Sequence, residues 1–477
     1  MNFSKWNKKQ EPTQDLTKNP SEKIEENTAY LTQAFSGATD LVVRKFSAFD
    51  KTYCLVYIKT ICDVTILENF IIKPLLFKDH LHPQDLPVPD IKPLDCWKDI
   101  TQNLTTGYFI LFQEGDSTAY AANASNFAHR SVGESTSEQS IRGSHEGFIE
   151  NYESNLSLMR TYLRTEQFIM KDIIIGDELP IRMGIGYLGN KADPLVIEKV
   201  KERIKTFRVD GAITGGKLQD HLQDNKYSPF PQYLSTERPS RVAEHLSSGA
   251  VVVMIDGSST VYILPTTFFA FYRAPEDIQS PIYISYTDQA LRFLALFLTI
   301  ILPPFYIAVV SFNFEIIPDA LVANVKGALQ IIPFNPLIEA LIMQIILELL
   351  KEAAIRLPQS ISPTIGVVGA LVIGTTIVQA NLISSTMLIV IALTAISSFV
   401  IPNHEMTLII RIFSFPLMVL SYILGLMGLT LGITLIIIHL CTLKSMGQPY
   451  LTSVLPYRFF RSIKTALRLS LPNKKEG

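Results

Sequence analysis

Cysteine is scarce in this chain: four in 477 residues, Cys54, Cys62, Cys96 and Cys441, with no C-x-x-C pair. That spacing excludes a disulfide framework and a zinc site built from paired thiolates, and it fits a reducing compartment. Net charge is scarce too, at −2 from 42 Lys+Arg against 44 Asp+Glu, so there is no basic footprint for nucleic acid. Residues 1–27 lack any apolar run and are rich in Lys, Glu, Gln and Thr. This excludes a secretory signal or a membrane span there and predicts a disordered lead-in over 1–34. No Ser/His/Asp, Cys/His or paired-carboxylate spacing supports a reaction class. Neither an enzyme nor a cofactor is therefore expected.

The near-neutral average hides two different objects. From Ala290 onward the chain carries 12 Lys+Arg and 7 Asp+Glu, against 30 and 37 before it. An acidic front precedes a basic, apolar back.

The back holds long uncharged runs. Phe293 to Phe312 has 20 residues without a charge, about 30 Å as a helix and enough for a bilayer core. Pro303-Pro304 inside it predicts a kinked span, since neighbouring helices can satisfy the freed carbonyls. Thr364 to Ile401 is uncharged over 38 residues with Asn381 and Ser384-Ser385 near its middle, which reads as a helical hairpin. Ile412 to Leu443 gives 32 more, either one tilted helix of about 48 Å or two short ones broken near Gly425 and Gly428; the single helix is the preferred reading.

Two less apolar helices lie between. Residues 318–332 put Leu321, Val322, Val325, Leu329 and Ile332 on one stripe, an interface-lying pattern. Residues 334–356 carry Glu339, Gln344, Glu348, Lys351, Glu352 and Arg356. Gln344, Glu348 and Glu352 share a face, and Glu339 stands about 180° from Glu348. A charge at bilayer depth costs at least ~2.5–3.5 kcal/mol. The preferred reading is therefore a non-spanning helix whose carboxylates pair locally, Glu348 with Lys351 and Glu352 with Arg356. The sharper one is a polar lining of an ion path, with Glu339 as its best candidate. Gly366, Ala370 and Gly374 form one small-residue ridge and Gly428 with Gly432 another, suited to close helix packing in lipid. After Leu443 come seven Lys+Arg and one acid, Glu476, so the tail is expected in the cytoplasm. With a cytoplasmic front this demands an even number of spans. Four is the expected count; six needs both the 334–356 helix and a split final run.

The front alternates in the manner of α/β architecture. Strands are expected at Tyr53–Ile58, Tyr108–Phe112, Ser117–Ala121, Gln167–Ile175, Ile181–Tyr187, Val251–Ile255 and Val261–Leu264. Helices are expected up to about Leu76, over Pro194–Phe207 and over Arg238–Leu246. The resulting organisation is an α+β membrane protein: a lead-in at 1–34, an α/β subdomain at 35–130, a linker at 131–145, a second subdomain at 146–287, a transmembrane helical domain at 288–443 and a basic tail at 444–477.

Two motifs mislead. Gly211 to Lys217 matches G-x-x-x-x-G-K, but Leu218 stands where a P-loop places Ser or Thr and charged residues precede it; a glycine turn before a helix is preferred. Asp79-His80-Leu81-His82 has no third ligand in view, so no metal is expected.

Arg142-Gly-Ser-His-Glu-Gly-Phe148, Pro229-Phe-Pro-Gln232, Thr236-Glu-Arg-Pro239 and Val251–Gly257 follow one another in the front. Leu302-Pro303, Ile317-Pro318, Ile332-Pro-Phe334, Glu348–Ala353, Ile355–Pro358 and Val372-Ile-Gly374 follow in the back. In this order they resemble the A subunit of bacterial spore germinant receptors, from about residue 35 to about residue 450. The chain departs from the family pattern at His145, Ala328-Leu329 and Thr375. The resemblance implies a multi-pass protein of the spore inner membrane and a shared assembly: an oligomer that works with a transporter-like B subunit and a lipoprotein C subunit and conducts ions when a nutrient germinant acts. Glu339, Glu348 and Thr375 are then candidates for the ion path or gate. The rival reading is a non-conducting scaffold for the sensor and lipoprotein subunits.

Overall fold

The computed structural model describes residues 19–78, 81–126, 146–176, 180–207, 215–274, 276–356 and 374–451. The chain divides into two compact units, Met1–Leu222 with Tyr233–Pro265, and Gln223–Gln232 with Thr266–Gly477.

The first unit contains two five-stranded antiparallel sheets. One is formed by β1 (Leu41–Ala48), β2 (Lys51–Ile58), β3 (Lys92–Leu94), β4 (Tyr108–Gln113) and β5 (Ala119–Asn123), in the order β1-β2-β4-β5-β3. Period-two alternation sorts β2 between two cores. Cys54, Val56 and Ile58 join α1 (Ile24–Ala34) and the helix Trp97–Thr105 on one face. Tyr53, Leu55 and Tyr57 join the helical stretch from Val64 to Phe77 on the other. With both faces covered, β2 reads as a continuous apolar run.

The second sheet repeats the first. Its strands β6 (Phe168–Ile175), β7 (Ile181–Leu188), β8 (Leu234–Thr236), β9 (Val251–Ile255) and β10 (Val261–Leu264) run in the order β6-β7-β9-β10-β8, the same topology. The duplication extends to single hydrogen bonds. The Gly115 N–H donates to the Glu22 carbonyl at 2.9 Å, and the Gly257 N–H to the Glu150 carbonyl at 2.9 Å. Asn27 and Asn155 each close a loop on the residue six positions earlier, Ser21 and Ile149. An acid in each hairpin turn, Glu114 or Asp256, accepts from the first turn of the opening helix, at Ile24 or Tyr152. Gly107 and Gly115 have φ of 87° and 82°, Gly249 and Gly257 of 92° and 84°. These turns require the left-handed region that glycine enters without steric cost.

The two repeats meet through a buried ion pair. Arg160 Nε and Nη2 donate to the two oxygens of Asp40 at 2.8 and 2.7 Å, and Nη1 to the Phe168 carbonyl at 3.0 Å. Beside it, the Thr39 N–H donates to the Met170 carbonyl.

The two α/β subdomains expected from the sequence are present, but the lead-in reached too far. Ile24–Ala34 is helical, with Leu31 and Phe35 fully buried, because an amphipathic stripe in an otherwise polar segment finds the first sheet. The edge strand β1 and the helix Tyr152–Tyr162 carry too many polar residues for their apolar faces to stand out. The linker 131–145 lies outside the described residues.

Burial sets the reactivity of the thiols here. It pushes Cys54 up to about 11 and Cys62 up to about 12. The thiolate is the reactive form, so at pH 8 both should resist alkylation in the native protein and react after denaturation, while half-buried Cys96 should label first of the three thiols in this unit. Because the folded state holds these protons more tightly than the unfolded chain, their contribution to stability is complete below about pH 9 and falls as pH rises beyond it. Mass spectrometry of labelled peptides across pH 7–10 checks this.

The second unit is helical. Its elements include Ile282–Phe312, Asp319–Ile331, Pro336–Arg356, Gly374–Gln379, Ser385–Val400 and His404–Thr442. Pro303 and Pro304 lie buried inside the first of these. Two helices, Ile282–Phe312 and His404–Thr442, are long and apolar enough to cross a membrane.

His404–Thr442 is not the single straight helix preferred from the sequence. Gly425 takes φ 64° and ψ −143°, and the chain doubles back there. Phe413 and His439 both pack on Phe230, with ring centroids 5.1 and 6.0 Å from it; a straight helix would hold them about 39 Å apart. Gly432 meets the Leu417 side chain and Gly428 meets the Leu420 backbone. The result is a helical hairpin with legs on either side of Gly425, and the absence of side chains at three glycines is what lets it close.

Candidate functional site: a polar seam inside the helical unit

The helical unit buries polar residues beside an apolar cluster of Ile307, Met343, Ile383, Met387, Ile391 and Met418, and exposes apolar ones. Large apolar side chains such as Phe297, Ile389, Phe399, Ile412, Ile423 and Met427 are exposed, while Thr299, Glu339, Gln344, Ser397, Arg411 and Ser421 are buried. Such a surface suits lipid, and its interior is a polar seam.

Pro336–Arg356 threads this interior. At its start the Asn335 amide donates to the Tyr422 hydroxyl at 3.2 Å, close to the Gly425 turn. Further along, Arg411 Nη1 donates to Glu348 Oε2 at 2.8 Å, and Lys351 Nζ donates to Ser398 Oγ at 3.0 Å. The helix therefore runs antiparallel to the outgoing leg of the hairpin. It is packed against other helices, with Glu339 at 1% and Gln344 at 3% exposure. Pro336–Arg356 is not among the helices long and apolar enough to cross a membrane, but Glu339 and Glu348 find partners on other helices, so the burial cost of their charges is offset across the bundle. Of the two local pairs expected, Glu352–Arg356 forms at 2.6 Å on an exposed face, but Glu348 pairs with Arg411 instead of Lys351.

Glu339 caps a helix. Its Oε2 accepts the Ser384 N–H at 2.9 Å, and Ser384 is the N-cap of Ser385–Val400, accepting from the Met387 N–H. A carboxylate at a helix N-terminus is favoured by the dipole. Among the described residues its other oxygen, Oε1, has no hydrogen-bond partner, and neither do Gln344 Oε1, Arg411 Nε, Ser414 Oγ and Ser421 Oγ. Buried polar atoms without partners are costly. All five lie on Pro336–Arg356 or on the outgoing leg of the hairpin, and each calls for an explanation.

The other predicted residues fall outside this seam. Thr375 is exposed, and Gly366 and Ala370 lie outside the described residues. Gly374 is buried, but an added Cβ there would meet only Leu388 methyls, at 3.9 and 4.0 Å, an ordinary contact. Sequence reading missed Arg411, which bounds the last uncharged run and was taken only as its limit, and missed Ser414 and Ser421, which follow it at helical spacing on one face. Outside the helical unit, His82 Nδ1 accepts the Gln84 N–H, and Gly215–Leu222 forms a short helix where the P-loop-like motif ends.

The chain thus combines a duplicated α/β region with a helical region in which two helices are long and apolar enough to cross a membrane. The chain belongs to the GerA spore germination protein family of Bacillus and Clostridium, whose family model matches residues 29–476. It is 35% identical over 463 residues to the uncharacterized membrane protein YfkQ of Bacillus subtilis (strain 168), covering 94% of this chain and 89% of that protein. It is 35% identical over 389 residues to spore germination protein A1 of the same organism, covering 81% and 80%. The N-terminal domain of the A subunit of the Bacillus megaterium spore germinant receptor GerK3 is similar at 21% identity and a TM-score of 0.42, over 53% of this chain and 98% of that one.

Proposed function

We propose that this chain is the A-type subunit of a nutrient-responsive spore germination receptor and that its polar seam is a path for monovalent cations. The observation that carries the reading is the row of buried, unpartnered polar atoms between Glu339 and Arg411, enclosed by helices whose outer surfaces are apolar. We count Ile282–Phe312, Pro336–Arg356, Ser385–Val400 and the two legs of the hairpin as crossings among the described residues, with one more expected from the length of the uncharged run Thr364 to Ile401, six in all. An even number puts both ends of the chain on one face, the cytoplasmic one given the basic tail, in the spore inner membrane. Gating belongs to an assembly: several copies of this chain, a transporter-like B subunit that meets the nutrient, and a lipoprotein C subunit. A nutrient opens the path only in so far as it favours the open state over the closed one.

Purified protein in liposomes, alone and with its partner subunits, tests conduction through potassium release. A barrier change of about 1.4 kcal/mol alters a rate tenfold, and Glu339→Gln, which keeps the shape and removes the charge, should slow release at least that much. Equal rates for the two proteins would exclude Glu339 from the path.

A scaffold is the second reading, and the closed ion pair between Glu348 and Arg411 favours it. A pair that only locks helices predicts loss of assembly on Arg411→Ala and no ion flux from any preparation.

A further inference from the structure

The Pro229-Phe230-Pro231-Gln232 motif takes no part in the seam. It sits in a strap, Gln223–Gln232, inserted between the helix Gly215–Leu222 and β8. The strap groups with the helical unit, while the chain on both sides of it groups with the soluble unit. It is preformed: Gln232 Oε1 accepts the N–H groups of Asp224 and Asn225 at 2.8 and 3.0 Å, and its Nε2 donates to the Asn225 carbonyl at 2.9 Å. Two prolines fix φ beside Phe230.

The strap is seated at the open end of the hairpin. Phe230 stacks on Phe413 of the outgoing leg and lies against His439 of the returning leg. Ser228 Oγ is hydrogen-bonded to His439 Nε2 at 2.9 Å. The hydroxyl of Tyr450 donates to the Pro231 carbonyl at 2.7 Å, that of Ser445 donates to the Gln232 carbonyl at 2.6 Å, and the Gly447 N–H donates to Asp224 at 2.8 Å. Gln232, Ser445 and Tyr450 are fully buried.

We propose that this strap is the coupling element through which the state of the soluble region reaches the seam. Its only covalent continuations run into the soluble unit, one at each end, and its side chains clamp both legs of the hairpin at once. Phe413 lies two residues beyond Arg411 on the leg that supplies the seam's cation. A displacement of the strap therefore moves that leg with it, while its firm seating keeps it from slipping. Glycine-rich or solvated loops could not transmit such a displacement; this one is held by packing, carbonyl acceptors and proline.

The inference rests on the receptor reading, and deletion spores keep the two apart. If spores lacking the chain respond normally to every nutrient, the receptor reading fails; if deletion matters, the strap can be judged. With protein per membrane measured by immunoblot, Phe230→Ala should slow the nutrient-triggered release of cations by a factor within the range of about 5–150 typical of coupling between sites. Phe230→Leu, which keeps most of the apolar bulk against Phe413 and His439, should slow release less than Phe230→Ala does. A normal response per molecule from Phe230→Ala overturns the proposal, and so does a Phe230→Leu response as slow as that of Phe230→Ala at equal protein per membrane.

Discussion

Gly425→Val should leave little folded protein in the membrane. Gly425 holds a backbone conformation that is essentially glycine-only, at φ 64° and ψ −143°, and strain of this kind costs about 1–3 kcal/mol. An added Cβ would also press on the Phe312 side chain, at 3.2–3.4 Å from its Cβ, Cγ and Cδ2, and overpacking adds about 1–3 kcal/mol more. Together these are a large part of a typical total stability of about 5–15 kcal/mol. Thermal denaturation in detergent should show the loss. Phe312→Ala in the same chain, which removes Cγ and Cδ2, should recover only the steric part, because the backbone strain remains. A Gly425→Val protein with wild-type stability would mean that the last apolar run is one straight helix after all.

Asp40→Ala should be nearly as damaging to the soluble region. Asp40 and Arg160 have side-chain exposures of 2% and 1%, and removing one partner of such a pair leaves a buried charge uncompensated, at a cost of about 3–5 kcal/mol. Replacing both, as Asp40→Leu with Arg160→Met, should cost less than the single change, since no charge then remains to be desolvated. Trp97 is buried in the core of the first sheet, so urea unfolding followed by tryptophan fluorescence reads the effect directly. Equal midpoints for wild type and Asp40→Ala would show that the two repeats do not depend on this contact.

The soluble strands were legible because their alternation and their turn residues agree. β4 and β5 flank Glu114-Gly115-Asp116, β9 and β10 flank Asp256-Gly257, and the structure pairs each couple as expected. That the two subdomains are copies was also written in the sequence, as Leu104-x-x-Gly107 followed by Gly115 and Leu246-x-x-Gly249 followed by Gly257. It passed unnoticed because the side chains between those glycines differ. The helical unit was harder to read. Hydropathy shows where lipid-compatible helices lie but not which polar residues meet across them. The Glu348–Arg411 pair joins positions 63 residues apart, whereas sequence reasoning reached only to i+4. The break at Gly425 hung on a single residue in a run that would otherwise continue as helix. Of the two conditions set from the sequence for six spans, the structure shows the divided last run, broken at Gly425.

The central claim is that this chain lets a nutrient signal become ion release in a spore. Spores from a strain lacking it, compared with the parent and with a complemented strain, should release potassium more slowly in response to at least one nutrient, with the complemented strain restored. Identical release from the deletion and parent strains for every nutrient that triggers germination would contradict the account.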